Sequence, residues 1–151
     1  MPAIRKSGKP NINGNYLKKA STAIAQNTVL TIDATGYLIP ATAVTTNIKG
    51  IAQETIATTD ADYATARNTF VDIPLPGDLF TMDCNTTITQ AIVGELFDLA
   101  SAGVVDNSDA LGAVDVVELV SIVQPTYTSA ALPSIGVFRF NPVVLLSTTA
   151  A

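Results

Sequence analysis

The chain has 151 residues, of which 8 are Lys or Arg and 13 are Asp or Glu, and its formal net charge is −5. It contains no His and one Cys, which excludes His-based catalytic triads, an internal disulfide and a zinc site built from His and Cys ligands. This length fits one domain, and because 48% of the residues are hydrophobic, we expect part of the apolar surface to be buried in an assembly.

The N-terminal segment differs from the rest of the chain in charge. Residues 3–19, AIRKSGKPNINGNYLKK, carry five basic residues and no acidic one, which leaves three basic against thirteen acidic residues in 20–151. Gly, Pro and Asn are frequent here, so we expect an extended, irregular arm (1–19) attached to a single β-rich domain (20–151). The charge asymmetry indicates an arm that binds a negatively charged partner, and a solubilising tail is the alternative.

The remainder of the sequence has the pattern of an all-β sandwich or barrel, because short runs rich in Val, Ile, Thr, Tyr and Phe alternate with Gly, Pro, Asn and Asp. Two of these runs, LTIDATGYLI and LFDLASAGVV, contain short turns that end in Gly36 and Gly103 and are predicted hairpins. The predicted strands are 28–33, 36–39, 48–54, 69–74, 78–83, 95–99, 114–123 and 135–140.

Three further features complete the structural prediction. Residues 54–68 lack alternation and predict either one or two helical turns, with Asp60 as the N-cap, or a loop. Residues 124–134 contain two prolines and predict an extended surface connection. Cys84 is predicted to be a small buried hydrophobic residue.

The sequence offers no catalytic constellation and no glycine-rich phosphate loop, so we expect neither an enzyme nor a cofactor or small-molecule substrate. The closest metal motif is NSDALGAVDVVE, in which Leu111 stands where an EF-hand calcium loop needs an oxygen ligand. A solvated acidic hairpin is therefore favoured over a calcium site. The matching positions of this motif are Asn107, Asp109, Gly112, Asp115 and Glu118.

Nucleic acid and membrane are both disfavoured as partners. The arm has a single aromatic residue, Tyr16, and is attached to an acidic body that phosphates would repel. The arm has no amphipathic apolar face, and Pro interrupts the longest interior stretch without charges.

Residues 27–80 resemble the small head-decoration (capsid-stabilising) proteins of lambda-like tailed bacteriophages. The segment NTVLTIDATGYLIPATAVTTNIKGIAQETIATTD, followed by TFVDIPLPGDLF, carries the resemblance. In that family a strand ending in Asp passes through a short turn to a second strand, then to a GI-A segment, a Thr/Asp loop and a G-x-F/L strand. The corresponding positions are 30–33, 36–40, 50–52, 58–60 and 77–80.

The resemblance implies a compact β-rich domain, a β-tulip-like barrel or sandwich, that assembles on the outer face of a phage capsid, often as trimers. We therefore expect a structural virion protein, made in the host cytoplasm, that binds the major capsid protein and stabilises the shell. Its greater length, its second β-rich half and its basic arm depart from the family pattern. The arm residues expected to contact the capsid are Arg5, Lys6, Lys9, Asn11, Asn13, Tyr16, Lys18 and Lys19.

We expect the arm to lie across neighbouring capsid subunits and to add main-chain hydrogen bonds to an exposed strand edge. On this hypothesis, removing residues 1–19 abolishes capsid binding and leaves the β domain folded. Two alternatives share the β-rich pattern. A fibre or pilus-like subunit would use a terminal arm for strand donation. A carbohydrate-binding β-sandwich would need exposed aromatic platforms, whereas this chain has no Trp and only four Tyr.

Overall fold

The computed structural model describes residues 3–45, 47–108, 116–124 and 134–145. Nearly all of the regular structure in this part of the chain is β-strand, arranged as a barrel and a sheet, which confirms the predicted compact all-β fold. The strands are β1 Ile4–Ser7, β2 Ile12–Lys18, β3 Val29–Ile32, β4 Leu38–Pro40, β5 Gly50–Ala52, β6 Arg67–Asp72, β7 Leu79–Cys84, β8 Leu96–Ser101, β9 Val104–Asp106, β10 Val117–Gln124 and β11 Ile135–Phe140.

Five strands form a closed barrel in the spatial order β2-β4-β3-β5-β6. β6 pairs antiparallel with both β5 and β2, and β2 completes the ring by a parallel contact with β4 at Lys18 and Leu38. Because β2 lies between β4 and β6, the barrel is closed only when the N-terminal residues are in place.

The other strands form a six-stranded sheet in the order β1-β7-β11-β10-β8-β9. β9 also pairs in parallel with β7. The five strands β7, β11, β10, β8 and β9 are therefore hydrogen-bonded in a ring, and β1 is added to β7. A short α-helix, α1 (Pro142–Leu145), follows β11, and a 3₁₀ turn covers Gln90–Ile92. In the described part of the chain, no helix is long and apolar enough to cross a membrane.

The barrel and the sheet share buried apolar contacts. One cluster fills the barrel with residues such as Leu30, Leu38 and Val71. A second, larger cluster lies under the sheet around its Phe side chains and also includes Val29 and Ile51 from the barrel strands. Strands β3 and β5 therefore contribute to both cores and join the two parts of the fold.

Each of the eight predicted strand ranges overlaps an observed strand. Residues 114 and 115 lie outside the described part of the chain. Both predicted hairpins are present as antiparallel pairs, β3 with β4 and β8 with β9. Gly36 has a φ of 89°, which explains the Gly in the first of these turns.

Residues 54–66 form a loop with turns and an isolated bridge between Ile24 and Ile56, so the loop alternative is correct and the helical one is wrong. The Asp60 carboxylate accepts a hydrogen bond from the backbone N–H of Ala57 (2.8 Å) and does not cap a helix. The stretch from Arg67 onward already belongs to β6. Residues 125–133, within the predicted 124–134 connection, lie outside the described residues.

The expectation that residues 1–19 form no regular element is wrong. β1 pairs with β7 in the sheet, and β2 pairs with β6 in the barrel. The segment is extended, as predicted, but its backbone groups are satisfied by strands of its own chain. Because β2 closes the barrel, we now expect removal of residues 1–19 to unfold the domain and not to leave it intact.

Candidate protein-binding face

The side chain of Arg5 is engaged within the molecule. Its guanidinium donates to both carboxylate oxygens of Asp72 (2.7 Å each) and to Asp78 (2.6 Å). It also lies 4.8 Å from the centre of the Phe80 ring. The hydrogen bonds to Asp72 raise the pKa of Arg5 above its ordinary value, so the group stays charged. Arg5 thus ties β1 to the barrel strand β6, and little of its charge is available to a partner.

Lys18 is fully buried, which is unusual for a lysine. Its ammonium donates to the backbone carbonyls of Lys19 (3.0 Å), Tyr63 (2.8 Å) and Thr65 (2.9 Å). Burial lowers the pKa of Lys18, while the three carbonyl acceptors favour its charged form. The side chain therefore fastens β2 to the loop before β6, and a partner cannot reach it.

Lys19 is exposed but paired. Its ammonium lies 2.9 Å from Asp33 in the β3–β4 turn. The Asp33 carboxylate also accepts hydrogen bonds from the Thr35 hydroxyl and from the N–H groups of Thr35 and Tyr37. The bonds from Thr35 and then Lys19 hold the pKa of Asp33 far below its ordinary value. Lys19 therefore supports the turn of a hairpin.

The uncharged residues predicted as contacts also have local roles. The Asn11 backbone N–H donates to Asp72 (2.9 Å), and the Asn13 side chain accepts from the Asn15 N–H (2.8 Å). The partly buried Tyr16 packs against the barrel core, and the Lys49 ammonium lies 4.9 Å from its ring centre. These three residues shape β2 and its entry.

Lys6 and Lys9 differ from the other basic residues of the segment. Both are exposed, and neither forms an ion pair within the described part of the chain. Of the five predicted basic contacts, three therefore stabilise the fold, and two form no ion pair with the residues that the structure describes.

Three large apolar side chains stand exposed on the outside of the barrel, on β2 and on β6, which pairs with it. Ile12, Leu17 and Phe70 expose 48%, 43% and 56% of their surfaces. The neighbours of Phe70 along β6, Thr69 and Val71, are buried, so Phe70 points outward by the alternation of a strand. We call Ile12, Leu17 and Phe70 the β2–β6 patch.

The strand register places the members of the patch side by side. Leu17 lies opposite Asn68, and Ile12 lies opposite Asp72. Phe70 is between these two positions on β6, so it is the diagonal neighbour of both, at about 7–8 Å. The patch is therefore a continuous apolar strip along one pair of strands.

Lys6 and Lys9 belong to the segment that leads from β1 into the Ile12 end of this strip. Lys9 precedes Ile12 by three residues, which an extended chain spans in about 10 Å. Lys6 follows Arg5, whose guanidinium binds Asp72 opposite Ile12. The face therefore combines an apolar strip with two unneutralised positive charges.

The apolar part of this face is not evident from the sequence. Phe70 lies within a predicted strand, and strand alternation alone does not show which side faces the core. Its ring lies over Gly14, where a Cβ atom would come within 2.8 Å of the Cε1 atom. Pairing of β2 with β6 creates this contact, and β2 itself was not predicted.

The other candidate residues have structural roles where the structure describes them. The described residues contain no group of three or more His, Cys, Asp or Glu that could hold a metal ion. The Asn107 side chain donates to the carbonyls of Thr86 and Thr87 (3.2 Å each) and braces a loop. Glu118 pairs with Arg139 across β10 and β11 at 2.7 Å. The other three matching positions of the calcium-loop motif, 109, 112 and 115, lie outside the described residues.

Cys84 is buried, as predicted, and unpaired. Burial raises the pKa of its thiol to about 12, which keeps it protonated and unreactive near neutral pH.

Comparison of the chain with protein-family models, with curated proteins and with solved structures finds no match.

Proposed function

We propose that this chain is a structural virion protein that binds the outer surface of a bacteriophage capsid and stabilises the shell by bridging neighbouring subunits. The major capsid protein is its partner, and the protein acts without catalysis or a cofactor. It is made in the host cytoplasm and becomes part of the virion. The sequence resemblance over residues 27–80 supplies the class of function.

One structural observation supports this proposal more than any other, namely where the exposed apolar side chains lie. Of the eight large apolar side chains that are exposed in the described part of the chain, Ile12 and Leu17 on β2 and Phe70 on the paired strand β6 lie side by side on one face. The other five are Ile4, Val44, Leu75, Val123 and Val143. Solitary exposed apolar residues are ordinary, whereas a group on one face indicates a binding surface. This face belongs to the segment for which the sequence predicts capsid contact.

The manner of binding differs from the strap expected from the sequence. Residues 4–18 are held in the fold by strand pairing, by the Arg5 ion pairs and by the buried Lys18. The N-terminal strands therefore present a preformed surface, and binding does not have to order a flexible chain. Preformed surfaces lose less conformational entropy on binding than segments that fold on contact.

The two alternatives are less well supported. Strand donation to a neighbour, as in a fibre, needs an unpaired terminal segment, but β1 and β2 pair within their own chain. Carbohydrate-binding sandwiches use several exposed aromatic rings, whereas in the described part of the chain Phe70 is the only exposed aromatic side chain and the three described tyrosines are partly buried. Tyr127 lies outside the described residues.

We further propose that the protein assembles as a trimer. Several identical binding faces on one oligomer raise the effective affinity for a repetitive shell, even when each contact is weak. Sedimentation analysis of the purified protein should then show a closed oligomer, whereas an open polymer would favour the fibre alternative.

Co-sedimentation with undecorated capsids of the phage from which the gene comes tests the proposed function. We expect the protein to sediment with the capsids and to saturate at a fixed number of copies per particle. Decorated capsids should withstand heating better than undecorated ones. Failure to bind at any protein concentration would contradict the proposal.

A further inference from the structure

We infer that the β2–β6 patch, together with Lys6 and Lys9, is a docking surface for an acidic and apolar segment of a capsid subunit. This inference rests on the proposed function and specifies the chemistry of the partner. We call these five residues, Lys6, Lys9, Ile12, Leu17 and Phe70, the docking face.

The charge of the docking face is the first argument. Arg5 and Lys19 form ion pairs with carboxylates of their own chain, and the buried Lys18 ammonium is held by three backbone carbonyls. Lys6 and Lys9 form no ion pair among the described residues. Two exposed positive charges without partners are complementary to a negatively charged segment, which they attract and orient.

The apolar strip is the second argument, because it indicates that apolar side chains of the partner accompany its acidic ones. Ile12, Leu17 and Phe70 are about half exposed. Covering their apolar surface with a partner would lower the free energy of the complex. A segment that carries apolar side chains followed by acidic ones would match the strip and the two lysines at its end. The aromatic side chain of Phe70 is suited to be the main contact.

A protein segment fits this face better than nucleic acid does. The phosphate backbone supplies closely spaced charges, whereas the face offers only two free lysines within a chain of net charge −5. The aliphatic side chains of Ile12 and Leu17 have no favourable partner on a phosphate backbone. A short acidic peptide segment carries fewer charges than a nucleic acid, and its apolar side chains can cover Ile12 and Leu17.

A second copy of the chain fits less well. A two-fold contact through the docking face would bring the free lysines of both copies into one interface, where they repel each other. Three half-exposed side chains also fall well short of the about 800 Å² per partner that stable interfaces bury. A capsid lattice does not need such an area, because many weak contacts act together.

Variants of the docking face test the inference against undecorated capsids. The double variant Lys6→Glu/Lys9→Glu reverses both charges, and Phe70→Ser removes the aromatic ring. We expect each to lower the apparent capsid affinity at least about tenfold, and wild-type binding to weaken as salt increases. Val44→Ser is the matched control, since Val44 is 79% exposed on a turn outside the docking face.

A peptide experiment tests the same surface without capsids. The probe is a ten-residue peptide in which five valines are followed by five glutamates, added to 15N-labelled protein and followed by NMR. We expect shifts at the five docking-face residues, and their loss in Lys6→Glu/Lys9→Glu. A lysine–valine peptide and an oligothymidine should leave these signals unchanged.

The outcomes separate the inference from the proposed function. Capsid binding that is equal in wild type, Phe70→Ser and Lys6→Glu/Lys9→Glu overturns the docking face and leaves the proposed function standing. Peptide binding at the docking face without any capsid binding overturns the proposed function instead. Preferential binding of oligothymidine, or self-association that Phe70→Ser abolishes, assigns the face to another partner and also overturns the inference.

Discussion

Lys18 and Lys19 are neighbours in the sequence, but their ammonium groups lie in opposite environments. Lys18 is buried against three backbone carbonyls, and Lys19 is exposed beside Asp33. In a strand, successive side chains point to opposite sides, which explains the difference at the end of β2. A count of basic residues treats the two as equal, whereas their contributions to stability differ.

We expect Lys18→Met to destabilise the protein by about 2–4 kcal/mol, because it keeps the apolar stem and removes the donor for buried carbonyls. Lys19→Met, the matched control, should cost less than about 1 kcal/mol, as is usual for an exposed ion pair. Urea unfolding followed by circular dichroism measures both free energies of unfolding. Equal effects of the two substitutions would contradict the structural role of Lys18.

The lowered pKa of Asp33 predicts a dependence of stability on pH. The carboxylate is more acidic in the folded than in the unfolded protein, so its contribution is present above about pH 4 and is lost as the pH falls below that value. Asp33→Asn keeps an acceptor for the turn but removes the charge. Between about pH 5 and pH 2, the free energy of unfolding should therefore fall less steeply in the variant than in wild type. Parallel curves would contradict this assignment.

At the scale of elements, β1 is held to the barrel by one arginine. Arg5 reaches Asp72, whose side chain is only 4% exposed, and also Asp78 in the turn before β7. Arg139 forms an ion pair with Glu118 in the sheet, but the Arg139 side chain is 46% exposed. The same residue type therefore serves a buried connection in one place and a solvated pair in the other.

Arg5→Ala should destabilise the protein by about 3–5 kcal/mol, because it leaves the buried Asp72 carboxylate without a cationic partner. Arg139→Ala, the matched control, should cost about 0–1 kcal/mol. Thermal and urea unfolding of both variants gives the comparison. If Arg5→Ala is no more destabilising than Arg139→Ala, the ion pairs of Arg5 do not hold β1 in place.

Two glycines show how closely neighbouring strands approach each other. A Cβ atom at Gly50 would overlap Val71 Cγ1 and would lie 2.5 Å from the Asp72 carbonyl oxygen. A Cβ atom at Gly14 would meet only the exposed ring of Phe70, which can rotate away. The requirement for glycine is therefore strict at the contact of β5 with β6 and weak on the outside of the barrel.

We expect Gly50→Ala to destabilise the protein by at least about 1–3 kcal/mol, since backbone atoms must move to admit the methyl group. Gly14→Ala should cost less than about 1 kcal/mol and should change the orientation of Phe70. Unfolding measurements give the first comparison, and the NMR signals of the Phe70 ring give the second. Tolerance of alanine at position 50 would show that the strands can separate there.

The sequence predicts those strands whose formation depends on their own residues. The apolar β-branched and aromatic runs of β3, β7, β10 and β11 carry enough burial to identify them. IRKS and INGNYLK do not, because they become strands through the free edges of β7 and β6. Arg5 binds the Asp72 carboxylate and Lys18 donates to the carbonyls at positions 63 and 65, and no local pattern in the sequence shows that these groups are close.

The candidate site, too, depends partly on local sequence and partly on contacts between distant residues. The sequence identifies the N-terminal segment as the distinctive part of the chain, and the two free lysines belong to it. Which lysines stay free depends on contacts between residues far apart in the sequence, as for Arg5 with Asp78. The apolar strip depends on the register of β2 with β6, which places Phe70 beside Ile12 and Leu17.

For the whole molecule, the N-terminal residues are both part of the fold and the proposed contact with the capsid. Deleting residues 1–19 would remove β1 and the strand that closes the barrel. A truncated protein that fails to bind would therefore not distinguish a lost contact from an unfolded domain. Surface substitutions such as Phe70→Ser and Lys6→Glu/Lys9→Glu change the contact and leave the strand pairing in place.

An electron cryomicroscopy reconstruction of capsids saturated with this protein tests the central claim most directly. The account predicts density for the protein on the outer surface of the shell, with Phe70, Ile12 and Leu17 against a capsid subunit and Lys6 and Lys9 near acidic side chains. Protein density in which this face points to solvent, or shells that remain bare at saturating concentration, would contradict it.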